Sequence, residues 1–508
     1  MNNLFSSVFD TVEKGVPTNV RVLLNDVYVI TGAENISTIF RNEAYSFPSD
    51  VSPITSLRNI FALPKPALKV YIADTSGIKR EPAPWSDVKP HRRIRLLTFK
   101  ATASALSGTG LDQINQRFTL NLADLIHKTG CTPEWTELPD LCQFVRTPVF
   151  QAAVNSMFGP HLLSLSPNLA HDFWEMDQRV QQLLICFPSW MIPEASKARQ
   201  RCLEAMKKWH TFAIEHRDDN KGREESSYEP LQGSVYIQQM MKHFSAMEEM
   251  TLDAKASNSL GMLFAMIGSS MPAINWSLLE IFQSPTLLAR VRSEVATTIL
   301  PPLTTTSPST PEFDLSRLLK LPLLQSIYTE ILRLHVAVFH IRSVRHSDFH
   351  LGDWLLREGS KILISSRPAH LDPSAFNTGT AEAPHPIHEF WADRFLVPAS
   401  STPGNQELKF SLAGCNGNWI PYGGGQRICP GRHFAKAEIF LGIAFFVTVF
   451  DIELQVPKGW KAEEDGGRLG MGSLNIKGEV PIRVRRRRSG RESSVIEGNQ
   501  EERGAEAK

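Results

Sequence analysis

At the start of the chain, apolar positions alternate with polar ones in two short runs, Val20-Arg21-Val22-Leu23-Leu24 and Val27-Tyr28-Val29-Ile30. That period is the period of a strand, and Asn25-Asp26 between the runs predicts a hairpin turn. A short helical pattern follows over Ala33 to Arg41. From about Asp112 to Phe282 the spacing is mainly helical, with long segments at Leu111–His127, His171–Cys186 and Lys197–His216. Thr132 to Pro139 and the polar stretch Asp218 to Gln232 interrupt it as loops. Pro301 to Pro311, rich in Pro, Ser and Thr, predicts a flexible connector. Strand-like runs return at His350–Trp354 and Lys361–Ser365, and a strongly apolar helical segment spans Ala435 to Phe450. Its longest apolar run, Ile439 to Phe450, is about 12 residues against the roughly 18 that a membrane-spanning helix needs. It therefore predicts a buried core helix, and no segment is expected to cross a membrane. The tail from Arg485 to Lys508 opens on four consecutive arginines, then turns acidic and polar, a composition that predicts disorder.

Composition adds bounds. The chain has 508 residues, 42% hydrophobic and 21% charged, with net charge +1. That is an ordinary globular balance with ample length for a large core, and nothing in it points to nucleic acid. Six cysteines (Cys131, Cys142, Cys186, Cys202, Cys415, Cys429) are scattered without a C-x-x-C pair. This is neither a disulfide framework nor a zinc site, and it suits a reducing compartment. Met1 to Gly15 contains Asp10, Glu13 and Lys14 and has no signal-peptide pattern.

The most telling chemistry lies in Pro421-Tyr422-Gly423-Gly424-Gly425-Gln426-Arg427-Ile428-Cys429-Pro430-Gly431-Arg432. A cysteine that binds iron must be deprotonated and closely approached by a flat macrocycle. Glycines at 423, 424, 425 and 431 remove side chains that would clash, admit positive φ, and let N–H groups point at the sulfur. Arg427 is placed for a charge-assisted bond to a propionate, and the following helix turns its positive end toward the thiolate. A lone cysteine in a glycine turn would read as an ordinary buried thiol. Here, however, an aromatic and Gly-x-Gly-x-Arg-x-Cys-x-Gly stand in register as Tyr422, Gly423, Gly425, Arg427, Cys429 and Gly431. This resembles the haem-binding signature of the cytochrome P-450 family, with Tyr where Phe is usual.

The resemblance, over roughly residues 20 to 485, implies a mainly α fold: a single large helical domain with small β-sheets at 1–484, followed by the charged tail at 485–508. It implies haem b with Cys429 as axial iron ligand. Family members of eukaryotes usually begin with a membrane anchor and a proline-rich hinge. This chain opens almost directly on strands, so the expectation is a sequence that starts late, with a protein lacking an anchor as the other reading. The localisation that follows is the endoplasmic reticulum membrane surface or the cytoplasm.

Glu330-Ile331-Leu332-Arg333 places a carboxylate and a guanidinium on one helix face. Alone that is a common surface pair. The family, however, carries Glu-x-x-Arg upstream of the haem loop, locked to a second arginine. Arg394, in Phe390-Trp391-Ala392-Asp393-Arg394-Phe395, matches that partner, and bidentate Arg geometry suits a rigid lock. Glu330, Arg333 and Arg394 are thus expected to hold the cysteine loop. For the haem propionates the resemblance also points to His91 and Arg95, read as four apart on one basic helix, and to Arg342 or Arg345, which the sequence leaves unseparated.

One stretch departs from the family. Its long central helix usually carries an acid followed by an alcohol, which relay protons to dioxygen. Here Ala265-Met266-Ile267-Gly268-Ser269-Ser270-Met271-Pro272-Ala273 has Gly268 at the acid position and Ser269 and Ser270 at the alcohol positions. Pro272 removes a backbone donor and predicts a local break. The pattern through Trp276 resembles the branch of the cholesterol 7-alpha-hydroxylases and prostacyclin synthases, as do Phe187-Pro188-Ser189-Trp190-Met191-Ile192-Pro193, Ala369-His370-Leu371-Asp372-Pro373 and Arg468-Leu469-Gly470-Met471-Gly472. That branch holds hydroxylases and an isomerase that needs no electrons. The leading expectation is a haem-dependent monooxygenase acting on a large apolar substrate (a sterol, terpenoid or other lipid-like metabolite), probed against a haem-thiolate isomerase or dehydratase and a non-catalytic haem sensor or carrier. Electrons would come from a separate NADPH-linked flavoprotein reductase, meeting basic residues Arg432, His433 and Lys436. Phe187 to Pro193 would touch a membrane surface, and Arg485 to Arg488 is expected to be a solvated tail.

Overall fold

The structure, a computed structural model, describes residues 13–22, 25–42, 46–48, 51–185, 187–216, 228–301, 311–345, 347–399 and 407–487. Most of the connector expected over Pro301 to Pro311, most of the loop from Asp218, and the tail after Arg487 lie outside these residues.

The principal sheet contains β1 (Thr18–Val22), β2 (Asn25–Ile30), β3 (Ser46–Pro48), β4 (Val336–Val344), β5 (Lys361–Ser365) and β6 (Met471–Ser473). Its order is β1-β2-β5-β4-β6, with β3 also on β4. The opening hairpin forms, but Val22 faces Asn25. Asn25 and Asp26 are therefore ladder residues of β2 and not its turn. The run at His350–Trp354 is likewise two strands, Phe349–Leu351 and Trp354–Leu356, closed as a hairpin. Thr132 to Pro139, expected as a loop, contains a strand at Thr136–Leu138 that pairs with Ile482–Arg486, which in turn pairs with Phe450–Leu454. Arg485 and Arg486, assigned to the tail from sequence, belong to that strand. Arg485 Nε meets Asp451 Oδ2 at 3.0 Å. A β ladder between distant segments gives no local pattern, so short runs such as Thr-Glu-Leu read as loop.

The helices that build the site are α1 (Gly108–His127), α2 (Leu141–Phe158), α3 (Leu169–Gln178), α4 (Pro193–Glu215), α5 (Leu252–Ile267), α6 (Ser270–Gln283), α7 (Pro322–His335) and α8 (Arg432–Val449). Local chemistry sets several of their ends. Asp140 accepts the N–H groups of Cys142 and Gln143 at the start of α2, and Gly159 ends it at φ +86°. The first N–H groups of α7, from Leu323 and Leu324, are taken by the Glu294 carboxylate at 2.9 and 3.0 Å. The segment expected at His171–Cys186 is split, since Arg179 separates α3 from a short helix at Val180–Leu184.

α5 and α6 run almost end to end, interrupted at Gly268-Ser269. Pro272 falls in the first turn of α6, where its missing N–H leaves no hydrogen bond unmade. Contrary to the count of uninterrupted apolar residues, Leu252–Gln283 is long and apolar enough to cross a membrane, but 78% of its apolar window is buried within the protein. It is a core helix. α8 is apolar all round, with Ile439 to Val447 buried, which is the signature of a helix enclosed on every side. It packs on α6 at a narrow crossing: a Cβ at Gly442 would lie 3.1 Å from Ile274 Cδ1. Trp276 fixes the other face of α6, donating to the Leu474 carbonyl at 2.9 Å and stacking on His335 at 3.8 Å.

Gly442→Val should overpack the α6–α8 crossing and lower stability by about 1–3 kcal/mol, read as a lower denaturation midpoint. An unchanged midpoint would mean that the crossing relaxes without cost.

Candidate active site

Cys429 sits just before α8, with its N–H donating to the Tyr422 carbonyl at 3.0 Å and closing the loop. Burial pushes its thiol up, while the N–H groups of Gly431 and Arg432 and the Arg432 guanidinium pull it down, the net direction being up. Those opposing groups are the free N-terminus of α8, whose positive end favours a negative charge beside it. The glycines divide their work. Gly423 and Gly425 hold φ of +73° and +72°, the left-handed region that other residues enter at a cost. Gly424 is needed for a reason the sequence does not show: a Cβ there would lie 2.3 Å from Phe40 Cδ2, on the helix Ala33–Arg41. Tyr422, standing for the usual Phe, shares its hydroxyl hydrogen bond with Tyr328 of α7 at 2.6 Å.

The sequence-expected lock assembles in full. Arg333 Nε and Nη2 meet the two oxygens of Glu330 at 2.7 and 2.9 Å, and Arg394 Nε meets Glu330 Oε1 at 2.8 Å. The remaining Arg394 nitrogens donate to the carbonyls of Asn377, His385, Pro386 and Glu389. All three side chains are buried. Arg333 Nη1 reaches the His370 carbonyl at 3.1 Å, and His370 Nε2 accepts the N–H of Ile420 at 3.1 Å. Burial, then the Arg333 charge, pulls His370 down to about 3, so it stays a neutral acceptor. Sequence marks His370 only within a stretch that resembles the branch; its role as a link was missed, because Ile420 and Arg333 lie far from it along the chain. Trp419 adds a second tie, from its Nε1 to the Thr329 carbonyl of α7 at 3.2 Å.

The candidate propionate ligands lie on different elements. Arg342 lies on β4, on the same face as His340, and its Nη2 reaches the Gly424 carbonyl at 3.4 Å. His340 Nε2 lies 3.3 Å from the Ile420 carbonyl, and burial pulls its pKa down to about 4. Arg345 lies beyond the end of β4. Arg427 ends a 3₁₀ turn on the cysteine loop and is exposed. His91 and Arg95 do not share a helix: His91 is exposed in the turn Pro90–Arg92, and a new helix begins only at Ile94. The break between them is Arg93, buried and bonded to the carbonyls of Lys79 and Arg80 at 2.7 Å. Arg95 Nη2 donates to the Tyr71 carbonyl at 3.2 Å. Of the basic residues expected to face a reductase, His433 is exposed. Arg432 instead bonds the Cys429 carbonyl at 3.0 Å, and Lys436 bonds Gln325 at 3.1 Å.

The two serines of the broken helix point apart. Ala265 and Ser269, one turn apart, are exposed, whereas Met266, Ile267 and Gly268 between them are buried. The break thus presents a narrow open face with Ser269 on it. Ser270 is buried, donates to the Met266 carbonyl at 3.1 Å, and meets Glu438 of α8. Burial pushes the Glu438 carboxyl well above its usual range. The expectation that both serines face the chemistry is corrected: one faces the open side, the other the core.

Residues 86–479 match the cytochrome P450 family. The chain belongs to the cytochrome P450 family. It is 34% identical over 497 residues to the cytochrome P450 monooxygenase efuG of Hormonema carpetanum, covering 93% of this chain and 84% of that protein. It is 32% identical over 494 residues to the monooxygenase fsoE of Humicola fuscoatra, covering 93% and 82%. The cholesterol 7-alpha-monooxygenase of Cricetulus griseus is 28% identical over 318 residues, 60% of this chain and 57% of that protein. The chain is an enzyme, an oxidoreductase of the cytochrome P450 monooxygenase family, and membership implies haem. The residues present fit that group: a cysteine at a helix N-terminus, three consecutive glycines earlier in its loop, and Arg342 and Arg427 as cations on or against the loop.

Arg333→Ala strands the Glu330 charge beside Arg394 alone and should cost about 3 kcal/mol or more, measured by denaturation of the haem-loaded protein. Tyr422→Phe should cost about 1 kcal/mol by leaving the Tyr328 hydroxyl short of a partner, and adding Tyr328→Phe should return most of it. A double variant no better than the single one would show that the phenols do not act as a pair.

Proposed function

We propose that this P450 inserts one oxygen atom from dioxygen into a large apolar substrate, a sterol, terpenoid or other lipid-like metabolite, in the biosynthesis of a secondary metabolite or sterol. The observation that carries the reading is Cys429 at the N-terminus of the enclosed helix α8. Cys429 would be the axial iron ligand, Arg342 and Arg427 the propionate partners, and Glu330, Arg333 and Arg394 the brace behind the loop. Bound haem supplies the oxygen activation, which a thiolate ligand favours. The chain's own part is to orient the substrate, exclude water, and hold a proton at Ser269 Oγ, with ordered water as its source.

An exposed apolar turn supports the substrate class. Between the short helix Val180–Leu184 and α4, Phe187, Trp190 and Met191 are 41%, 79% and 51% exposed. A turn of that kind fits a lipid surface and supports the reading of an enzyme at the endoplasmic reticulum membrane surface. Electrons would come from an NADPH-linked flavoprotein reductase. The second reading, rearrangement without electrons, draws on Gly268 at the acid position.

Haem-loaded protein with a reductase, NADPH, isotopically labelled dioxygen and a lipid extract tests the reading by mass spectrometry of the products. Label in an NADPH-dependent product is expected; a new product without label or NADPH would move the enzyme to the rearranging class. Cys429→Ala should lose the thiolate-type spectrum and turnover together, and a retained spectrum would assign the ligand elsewhere.

A further inference from the structure

The broken helix has no acid at Gly268, yet a carboxylate stands behind that position. A Cβ on Gly268 would lie 2.7 Å from Arg468 Nη2 and 3.1 Å from Nη1, so the guanidinium fills the space where the helix has no side chain. Arg468 is 2% exposed and pairs through Nη1 with Oδ1 of Asp177, on α3, which is 0% exposed. The next helix residue shows the reciprocal relation: a Cβ on Gly472 would lie 2.5 Å from Ser269 Oγ. Two glycines on facing segments thus make room for a guanidinium and a hydroxyl where the helix backbone breaks.

The pair is firmly placed. Arg468 ends the 3₁₀ turn Gly466–Arg468, opened by Asp465, whose carboxylate accepts the Gly467 N–H at 2.9 Å. Gln181 donates to the carbonyls of Gly466 and Leu469, both at 3.3 Å, and the guanidinium lies 5.1 Å from the ring centre of Phe264. Yet the pair is not fully satisfied. Arg468 Nε and Asp177 Oδ2 have no hydrogen-bond partner among the described residues. Buried ion pairs are poor sources of stability, and an open donor and acceptor in groups this buried are what ordered water satisfies.

We propose that Asp177 and Arg468 are a positioning pair for the oxygen chemistry: they hold water at the Gly268-Ser269 break and deliver protons to the Ser269 hydroxyl. The carboxylate missing from the helix is thereby supplied from α3 through Arg468. In each transfer Ser269 Oγ gives its proton forward and takes one from the held water, which takes a proton from solvent in turn. Only O–H bonds break and form, and no electron moves. The inference rests on the oxygen-insertion reading and on Ser269 as the proton-bearing group.

The test removes the pair as a unit, Asp177→Leu with Arg468→Met, because removing one partner strands the other's charge. Wild type, the pair variant and Ser269→Ala are loaded with haem and compared by two readouts. The first is the infrared stretch of carbon monoxide bound to the reduced protein, which senses nearby charge and water without turnover. The second is the share of NADPH electrons released as hydrogen peroxide, measured in H2O and D2O. The pair variant should keep its haem and thiolate-type spectrum, shift the carbonyl stretch, and raise the peroxide share several-fold with an altered solvent isotope effect. Ser269→Ala should raise the peroxide share likewise. A pair variant with wild-type stretch and peroxide share would overturn the inference and leave Asp177 and Arg468 a structural role. If Ser269→Ala alone uncouples, the inference fails while the Ser269 reading stands. If neither variant changes coupling and label still enters product, both proton assignments fail while oxygen insertion stands. If the pair variant does not retain haem, Arg468→Lys, which keeps the charge but loses the planar fork over Gly268, carries the same two readouts.

Discussion

The buried carboxylate of Glu330 is the point on which the site hangs. Two guanidiniums, from Arg333 on its own helix and from Arg394 far along the chain, converge on it in the core. A lone buried charge would be costly, and even a paired one is a poor investment in stability. What the cluster contributes is position. Arg394 gathers carbonyls from residues 377 to 389, and Arg333 reaches the backbone of His370, whose ring takes the Ile420 N–H. Ile420 leads directly into the loop that ends at Cys429. The helix bearing Glu330 and the loop bearing the thiol are thus one rigid unit, tied again through Trp419 and through the Tyr328–Tyr422 hydroxyl pair.

Rigidity on that side is matched by a deliberate discontinuity on the other. α8 is enclosed by apolar neighbours and fixes where the Cys429 thiol meets its helix terminus, while α6, packed on it through Gly442 and Ile274, begins only after the helix has broken. The break exposes Ser269 and turns Ser270 inward to Glu438. Glycine is used here as an absence that something else fills. Phe40 presses on Gly424, Arg468 on Gly268, and Ser269 on Gly472. Each close approach brings a side chain (a ring, a guanidinium, a hydroxyl) to a backbone that an ordinary side chain would keep away.

Legibility followed the range of the interactions. The helical course of α1, α4 and α8 was readable because burial repeats with the helical period. The short strands Thr136–Leu138 and Ile482–Arg486 were not, since their only partners are distant in sequence. Arg485 looked like the start of a solvated tail because its own segment is basic, whereas Asp451 on the neighbouring strand makes it part of a sheet. His91 and Arg95 looked like one helical face until Arg93, bonded to the carbonyls of Lys79 and Arg80, split the segment.

What the sequence determined by itself was the chemistry that lives in one contiguous stretch: the thiol of Cys429, the glycines with their backbone freedom, and a helix start behind them. A spacing of a few residues dictates those relations whatever the rest of the chain does. The Glu330–Arg333 spacing likewise announced a pair, and the resemblance named Arg394 as its partner. Only the tertiary structure decided that Arg342 meets the loop, that Ser269 and Ser270 face opposite ways, and that Asp177 and Arg468 meet behind Gly268. Those outcomes depend on which helices and strands pack together, and desolvation and close contact between residues hundreds of positions apart leave no periodic trace in the sequence.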